Sequence, residues 1–146
     1  MKVLIIHGPN LNLLGMREPH VYGSSTLGQI NAMITERATL LGVQPSIVQH
    51  NSESGIIEAI HECVKWADAL IINPAAYTHY SIAIRDAISA VGIRCVEVHL
   101  TNIYRREQFR QHSVVSGVAE AVISGLGAFG YLCALEYLAS KAHVSD

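Results

Sequence analysis

Lysine is scarce in this chain: only Lys2, Lys65 and Lys141 occur, at the start of the first apolar run, on a helical segment and near the end. Imine chemistry with a carbonyl substrate needs a well-placed amine, so it is disfavoured. Cysteine is equally sparse, because Cys63, Cys95 and Cys133 are widely spaced, odd in number and set in apolar stretches. They read as buried free thiols of a reducing compartment, and they offer no disulfide or zinc framework. No HxH or HExxH pair is present, which leaves a metal centre without a ligand pattern, and no cofactor is expected. GPNLNLLG is neither GxGxxG nor a Walker A loop, so a nucleotide lacks its backbone cradle. Basic excess is missing too: ten Lys and Arg against twelve Asp and Glu give a net charge of -2. Neither nucleic acid nor an anionic membrane surface is implied as a partner, and a small molecule is expected instead. Long hydrophobic runs are absent as well. The stretch between Glu120 and Glu136 is interrupted by Gly125, Gly127 and Gly130 and falls short of the roughly 18 to 20 residues of a bilayer span. Val3 to Ile6 is too brief for a secretory core, so the sequence is expected to begin as the mature protein does and to work in the cytoplasm.

What is present is a hydrophobic half of the composition, in 146 residues with 15% charged. That is the size of one domain able to bury a core unaided, and a single domain over 1–146 is expected. Short β-branched runs alternate with longer amphipathic ones: KVLIIH, TLGQINAMITERATLLG, VQPSIVQ, SGIIEAIHECVKWA, ADALIINP, SIAIRDAISAVG, IRCVEVHL, a turn around Asn102 to Arg106, GVAEAVISG and GYLCALEYLASKA. The rhythm predicts an α/β fold, a parallel sheet with helices on both faces and right-handed crossovers. A flavodoxin-like doubly wound sheet of order 2-1-3-4-5 is the most economical solution. GVAEAVISG fits either a short fifth strand or a loop.

In such a sheet the C-terminal strand ends carry the ligand crevice. Four segments reach that edge, PNLNLLGMREPHVYG, HNSES, NPAAYTHY and HLTNIYRREQFRQHS, and they hold most of the polar chemistry, with six of the eight histidines in or beside them. A receiver-type phosphoacceptor site would want acids where Asn10 and Asn73 stand. No Ser sits on a GxSxG elbow, and no Cys lies in the four segments. Acid and base work by His, Tyr and Arg remains. Glu97 and His99 share one side of a strand by period-two alternation, so the carboxylate can orient the imidazole and suit it to donate a proton. Tyr22 is the complementary base candidate, and its phenol, with an ordinary pKa of about 10, needs the permanent charge of Arg17 on the same loop to become an anion. From these residues alone two other readings stay open: a strand-end histidine satisfied by its neighbour, and a non-catalytic module of this fold that binds a small polyol or acid.

The strings GPNLNLLGMREPHVYG, INPAAYTHYSIAIRDA, VEVHLTNIYRREQFRQHS and GLGAFGYLCALEYLA, in this order and spacing, closely resemble the type II 3-dehydroquinate dehydratases, metal-free enzymes of shikimate and quinate pathways. The resemblance runs along essentially the whole chain. It implies an anti elimination of water from 3-dehydroquinate through an enolate. In that scheme Tyr22 is the base, Arg17 keeps it ionised, Asn10 helps to stabilise the enolate oxygen, and His99, oriented by Glu97, protonates the departing hydroxyl. It further implies that Asn73 and the backbone at Leu100 and Thr101 bind the substrate carboxylate, and His79 and Arg110 the ring hydroxyls. Asp86 matches a residue contributed to a neighbouring subunit's site in a homo-dodecamer built as a tetramer of trimers. Two positions depart from the family pattern: Tyr80 stands where a small hydroxyl residue is usual, and Ser54 where glycine is usual.

Overall fold

The computed structural model describes residues 1–16, 20 and 24–142. Five strands, β1 (Lys2–His7), β2 (Gln44–Gln49), β3 (Ala69–Asn73), β4 (Arg94–His99) and β5 (Ala121–Ser124), form one sheet in the order β2-β1-β3-β4-β5. Every pairing in it is parallel. The expected order is therefore present, and β3, with all five residues buried, reads as the continuous apolar run that a strand covered on both faces requires.

Alternation along the strands sorts the core into two layers. Val3, Ile5, Ala69, Ile71, Val96 and Val98 pack with Ile30, Ile34 and Ala38 of α1 (Leu27–Leu40) and Tyr131, Leu135 and Leu138 of α4 (Phe129–Ala142). Leu4, Ile6, Leu70, Ile72 and Cys95 face the other way, onto Ile56 and Ile60 of α2 (Glu53–Cys63) and Ile84 and Ile88 of α3 (Ile82–Val91). Each fully buried aliphatic side chain in these layers contributes about 1.5–3 kcal/mol relative to exposure.

Helix starts are written in side-chain oxygens. Thr26 and Gln29 exchange hydrogen bonds in a capping box before α1, Ser52 caps α2, and Ser81 accepts from the Ile84 amide at 3.1 Å before α3. The last part of the fold departs from a strict strand–helix alternation. The crossover from β4 to β5 has no α-helix and is built on three 3-10 turns, Ile103–Arg105, Gln108–Arg110 and Ser116–Val118. Polar and β-branched residues dominate here, and their side chains are committed to the sheet edge described below, which leaves no apolar stripe for a helix to bury. Of GVAEAVISG only four residues become strand, at the sheet's edge.

Candidate active site

The switch in strand order falls between β1 and β3, where the chain leaves the sheet in opposite directions. Over the C-terminal ends of β1, β3 and β4 lies a cleft of about 210 Å³ whose walls include Asn10, Asn73, His79, His99, Leu100, Thr101, Arg106 and Arg110. Seven of the sequence-predicted residues thus come together from three of the four segments. Asn10 and Ala75, both at the cleft wall, have φ of 67° and 51°, and are the only non-glycine residues with positive φ among those described. Left-handed backbone at a residue with a Cβ costs about 1–2 kcal/mol, a strain that native folds keep where geometry matters.

Both strained turns are held by side chains. The Asn10 amide donates to Asn51 Oδ1 at 3.0 Å, and Gln49 Nε2 donates to Gly8 O at 3.1 Å and to Asn51 Oδ1 at 2.9 Å, so the β2 end props the β1 end. Asn73 Oδ1 accepts from the Ala75 amide at 3.1 Å. Leu100 and Thr101 are oriented through their carbonyls, which accept from the Gly127 amide at 2.8 Å and Ser124 Oγ at 3.1 Å.

Glu97 lies behind the cleft wall, fully buried, with His99 Nε2 2.6 Å from its Oε1. Three hydroxyls complete its shell: Thr78 Oγ1 at 2.5 Å and Ser113 Oγ at 2.7 Å donate to Oε1, and Ser116 Oγ at 2.5 Å donates to Oε2. An ionised carboxylate has about four acceptor sites, so this set of four donors fits the anion. Burial pushes the Glu97 pKa up, but the hydrogen bonds and charge of His99 together with the Ser116 and Thr78 hydroxyls outweigh it and bring it down to about 2. The bond from Nε2 fixes the imidazole plane and leaves Nδ1 as the nitrogen available to a ligand.

His79 Nδ1 donates to the His112 carbonyl at 2.8 Å, which assigns Nε2 to the cleft. Its pKa is lowered first by burial, against that hydrogen bond, and further by the positive surroundings of His99, Arg110 and Arg106. Arg110 lies over the Phe109 ring at 5.0 Å, and its buried Nε meets Glu107 Oε2 at 2.7 Å off the N–H axis. These charges suit an anionic, hydroxyl-bearing ligand.

The remaining expectations fall elsewhere. Arg17 and Tyr22 lie outside the described residues. On either side of the segment that carries them Gly15 abuts Ser24 and Thr26, and Leu14 lines the cleft wall. Asp86 is exposed on α3 and does not line the cleft. Tyr80 is exposed, tilted against Tyr77 with ring centroids 5.7 Å apart, and is not a cleft residue either. Next to Ser54, glycine occupies the position that needs it: a Cβ on Gly55 would come within 2.8 Å of His50 Nδ1. Among the described residues no group of three or more His, Cys, Asp and Glu is arranged to hold a metal ion, and no helix is long and apolar enough to cross a membrane. Sequence reasoning overlooked Arg106, one of three arginines in a single short stretch, and the hydroxyl shell of Glu97, whose members are 16 to 19 residues away.

The family described as Dehydroquinase class II matches residues 1–139. A 3-dehydroquinate dehydratase of Pelotomaculum thermopropionicum is 54% identical over 142 residues, 97% of this chain and 99% of its own. The crystal structure of the type II dehydroquinase of Propionibacterium acnes is similar with a TM-score of 0.92 and 42% identity, over 95% of this chain and 96% of that one. That of Butyrivibrio crossotus DSM 2876 gives 0.93 and 43%, over 94% and 97%.

Proposed function

The chain belongs to the class II dehydroquinase family, which makes it a hydro-lyase acting as a 3-dehydroquinate dehydratase, and we propose that its cleft performs the reversible anti dehydration of 3-dehydroquinate to 3-dehydroshikimate through an enolate. Tyr22, held as phenolate by Arg17, removes the proton on the carbon beside the ketone, and the electron pair of that C–H bond becomes the enolate. Asn10 helps to hold the water or donor that stabilises the enolate oxygen. Collapse of the enolate forms the C=C bond as the hydroxyl leaves, and His99 supplies the proton that makes it water. Asn73 and the peptide groups of Leu100 and Thr101 hold the substrate carboxylate, with His79 and Arg110 on the ring hydroxyls.

The observation that carries this reading is the buried Glu97 carboxylate at 2.6 Å from His99 Nε2 at the cleft floor. An imidazole oriented by a carboxylate that also accepts from three hydroxyls is placed to exchange a proton at the cleft, and a binding module has no need of it. Gly15 and Thr26, on either side of the segment that carries Arg17 and Tyr22, lie against each other, and Leu14 beside them lines the cleft. Asp86, exposed on α3, is available to a neighbouring subunit's site in a homo-dodecamer, and the enzyme is cytoplasmic in this reading. The chemistry serves aromatic amino acid biosynthesis and quinate catabolism alike.

Mixing the purified protein with 3-dehydroquinate and following the ultraviolet absorption of the conjugated enone tests the reaction in one measurement. Tyr22→Phe is expected to abolish turnover with substrate binding largely kept, because only the proton acceptor is lost. Retention of more than a few percent of the rate removes Tyr22 from its role.

A further inference from the structure

His7 is fully buried at the end of β1, and the reaction as described above does not use it. It faces the α1 and α4 layer, as does Asn73, its register partner on β3. His7 Nε2 lies 2.8 Å from Asn31 Oδ1 on α1, and His7 Nδ1 lies 2.8 Å from the hydroxyl of Tyr131 on α4. The Asn73 side chain is a hydrogen-bonding neighbour that works against the rise burial imposes on the Tyr131 pKa.

Donor and acceptor chemistry gives this chain one direction. Asn31 Oδ1 can only accept, so His7 carries its proton on Nε2 and its bare Nδ1 accepts from the Tyr131 O–H. The Tyr131 oxygen is then free to accept from the Asn73 amide nitrogen. At the far end Asn73 Oδ1 is already occupied by the Ala75 amide at 3.1 Å. The Asn73 side chain is thereby held against rotation by half a turn, with its carbonyl on one side and one N–H on the other. Its second N–H is left for the cleft that Asn73 lines. A flipped amide would instead present an oxygen to an anionic ligand.

We propose that His7 and Tyr131 are positioning residues for the substrate, holding the Asn73 amide through a one-way series of hydrogen bonds so that an N–H is always presented to the substrate carboxylate. This inference rests on the reading of the cleft as a 3-dehydroquinate site. Burial keeps the ring neutral across the working range, partly opposed by Asn31, and so preserves the bare Nδ1 that the series requires. Because the carboxylate keeps its place from ground state to transition state, loosening Asn73 weakens both equally, which registers in KM rather than kcat.

The test uses the whole enzyme with Tyr131→Phe, His7→Leu and His7→Asn. Tyr131→Phe and His7→Leu are expected to raise KM for 3-dehydroquinate about tenfold with kcat within about twofold. His7→Asn, whose Oδ1 stands near the position of Nδ1, is expected to return KM to within about threefold of the parent, because the acceptor for Tyr131 is restored. A folded Tyr131→Phe enzyme with unchanged KM, or with kcat reduced and KM unmoved, overturns the proposal. Should that variant fail to fold, 15N NMR of His7 in the unaltered enzyme decides: an Nε2–H tautomer supports the series and an Nδ1–H tautomer overturns it. Failure of the underlying reading looks different, since the unaltered protein would then not turn over 3-dehydroquinate at all.

Discussion

Two buried ionisable side chains stand a strand apart and answer acid in different pH windows. His7 is pulled from the ordinary 6.5 to about 4, chiefly by burial. Below 6.5 the unfolded chain takes up a proton that the folded one refuses, so stability present above that pH is lost as pH falls toward 4. The loss amounts to about 3 kcal/mol. Glu97, lowered to about 2, acts the same way further down: its contribution is present above the carboxylate's ordinary 4.5 and disappears as pH falls toward 2. Urea unfolding at a series of pH values is expected to show the first decline beginning near 6.5, and His7→Asn to flatten the curve between there and 4. A flat curve in the unaltered enzyme would count against the buried neutral imidazole. Period-two alternation in VEVHL was enough to pair Glu97 with His99. It could not reveal Thr78, Ser113 and Ser116, because isolated hydroxyls at distances of 16 to 19 residues carry no local pattern. His7 and Tyr131, 124 residues apart, meet only because the first turn of helix α4 lies within side-chain reach of the end of β1.

At the scale of elements, the turn after β1 and the turn after β3 are pressed together. The Gly8 amide donates to Asn73 O at 2.8 Å, and a Cβ at Gly8 would stand 2.7 Å from the Pro74 carbonyl carbon and oxygen. These are backbone atoms, so nothing flexible can give way. Gly8→Ala is expected to cost about 1–3 kcal/mol, as overpacking does. Because the displaced atoms adjoin Asn73 and Ala75, kcat/KM should fall at least tenfold even at temperatures where the variant is fully folded. Denaturant midpoints and steady-state rates measured on one preparation check both parts, and a stable variant with unimpaired kcat/KM would show that the approach has no bearing on the site. Four helices and four strands were legible as periodicity switches from 2 to 3.6, whereas their caps at Thr26, Ser52 and Ser81 came only with the structure. Of the β4 to β5 crossover only the turn around Asn102 to Arg106 was legible, since the rest is ordered by side chains reaching back to Glu97 rather than by an apolar stripe.

On the scale of the whole molecule, the strand order follows from parallel connections and short loops, and it puts the crevice where β1 and β3 diverge. Among the described residues none pairs with Asp86, which is exposed on α3 and does not line the cleft. If the dodecamer proposed above is right, sedimentation at working concentration yields a particle of twelve 15.9 kDa chains, and Asp86→Ala lowers activity without altering the fold. A monomer of undiminished specific activity would refute the shared site.

The sheet separates two duties. His7 and Asn73 face α1 and α4, and the Glu97–His99 pair faces the α2 and α3 side, so grip and proton delivery are braced by different halves of the interior. A laboratory lineage selected for a roomier or more tolerant ligand should therefore accumulate its changes under α1 and α4, whereas one selected for faster turnover should draw them from beneath α2 and α3. The two histories would be distinguishable by location alone, and their products could be recombined across the strands with little mutual interference.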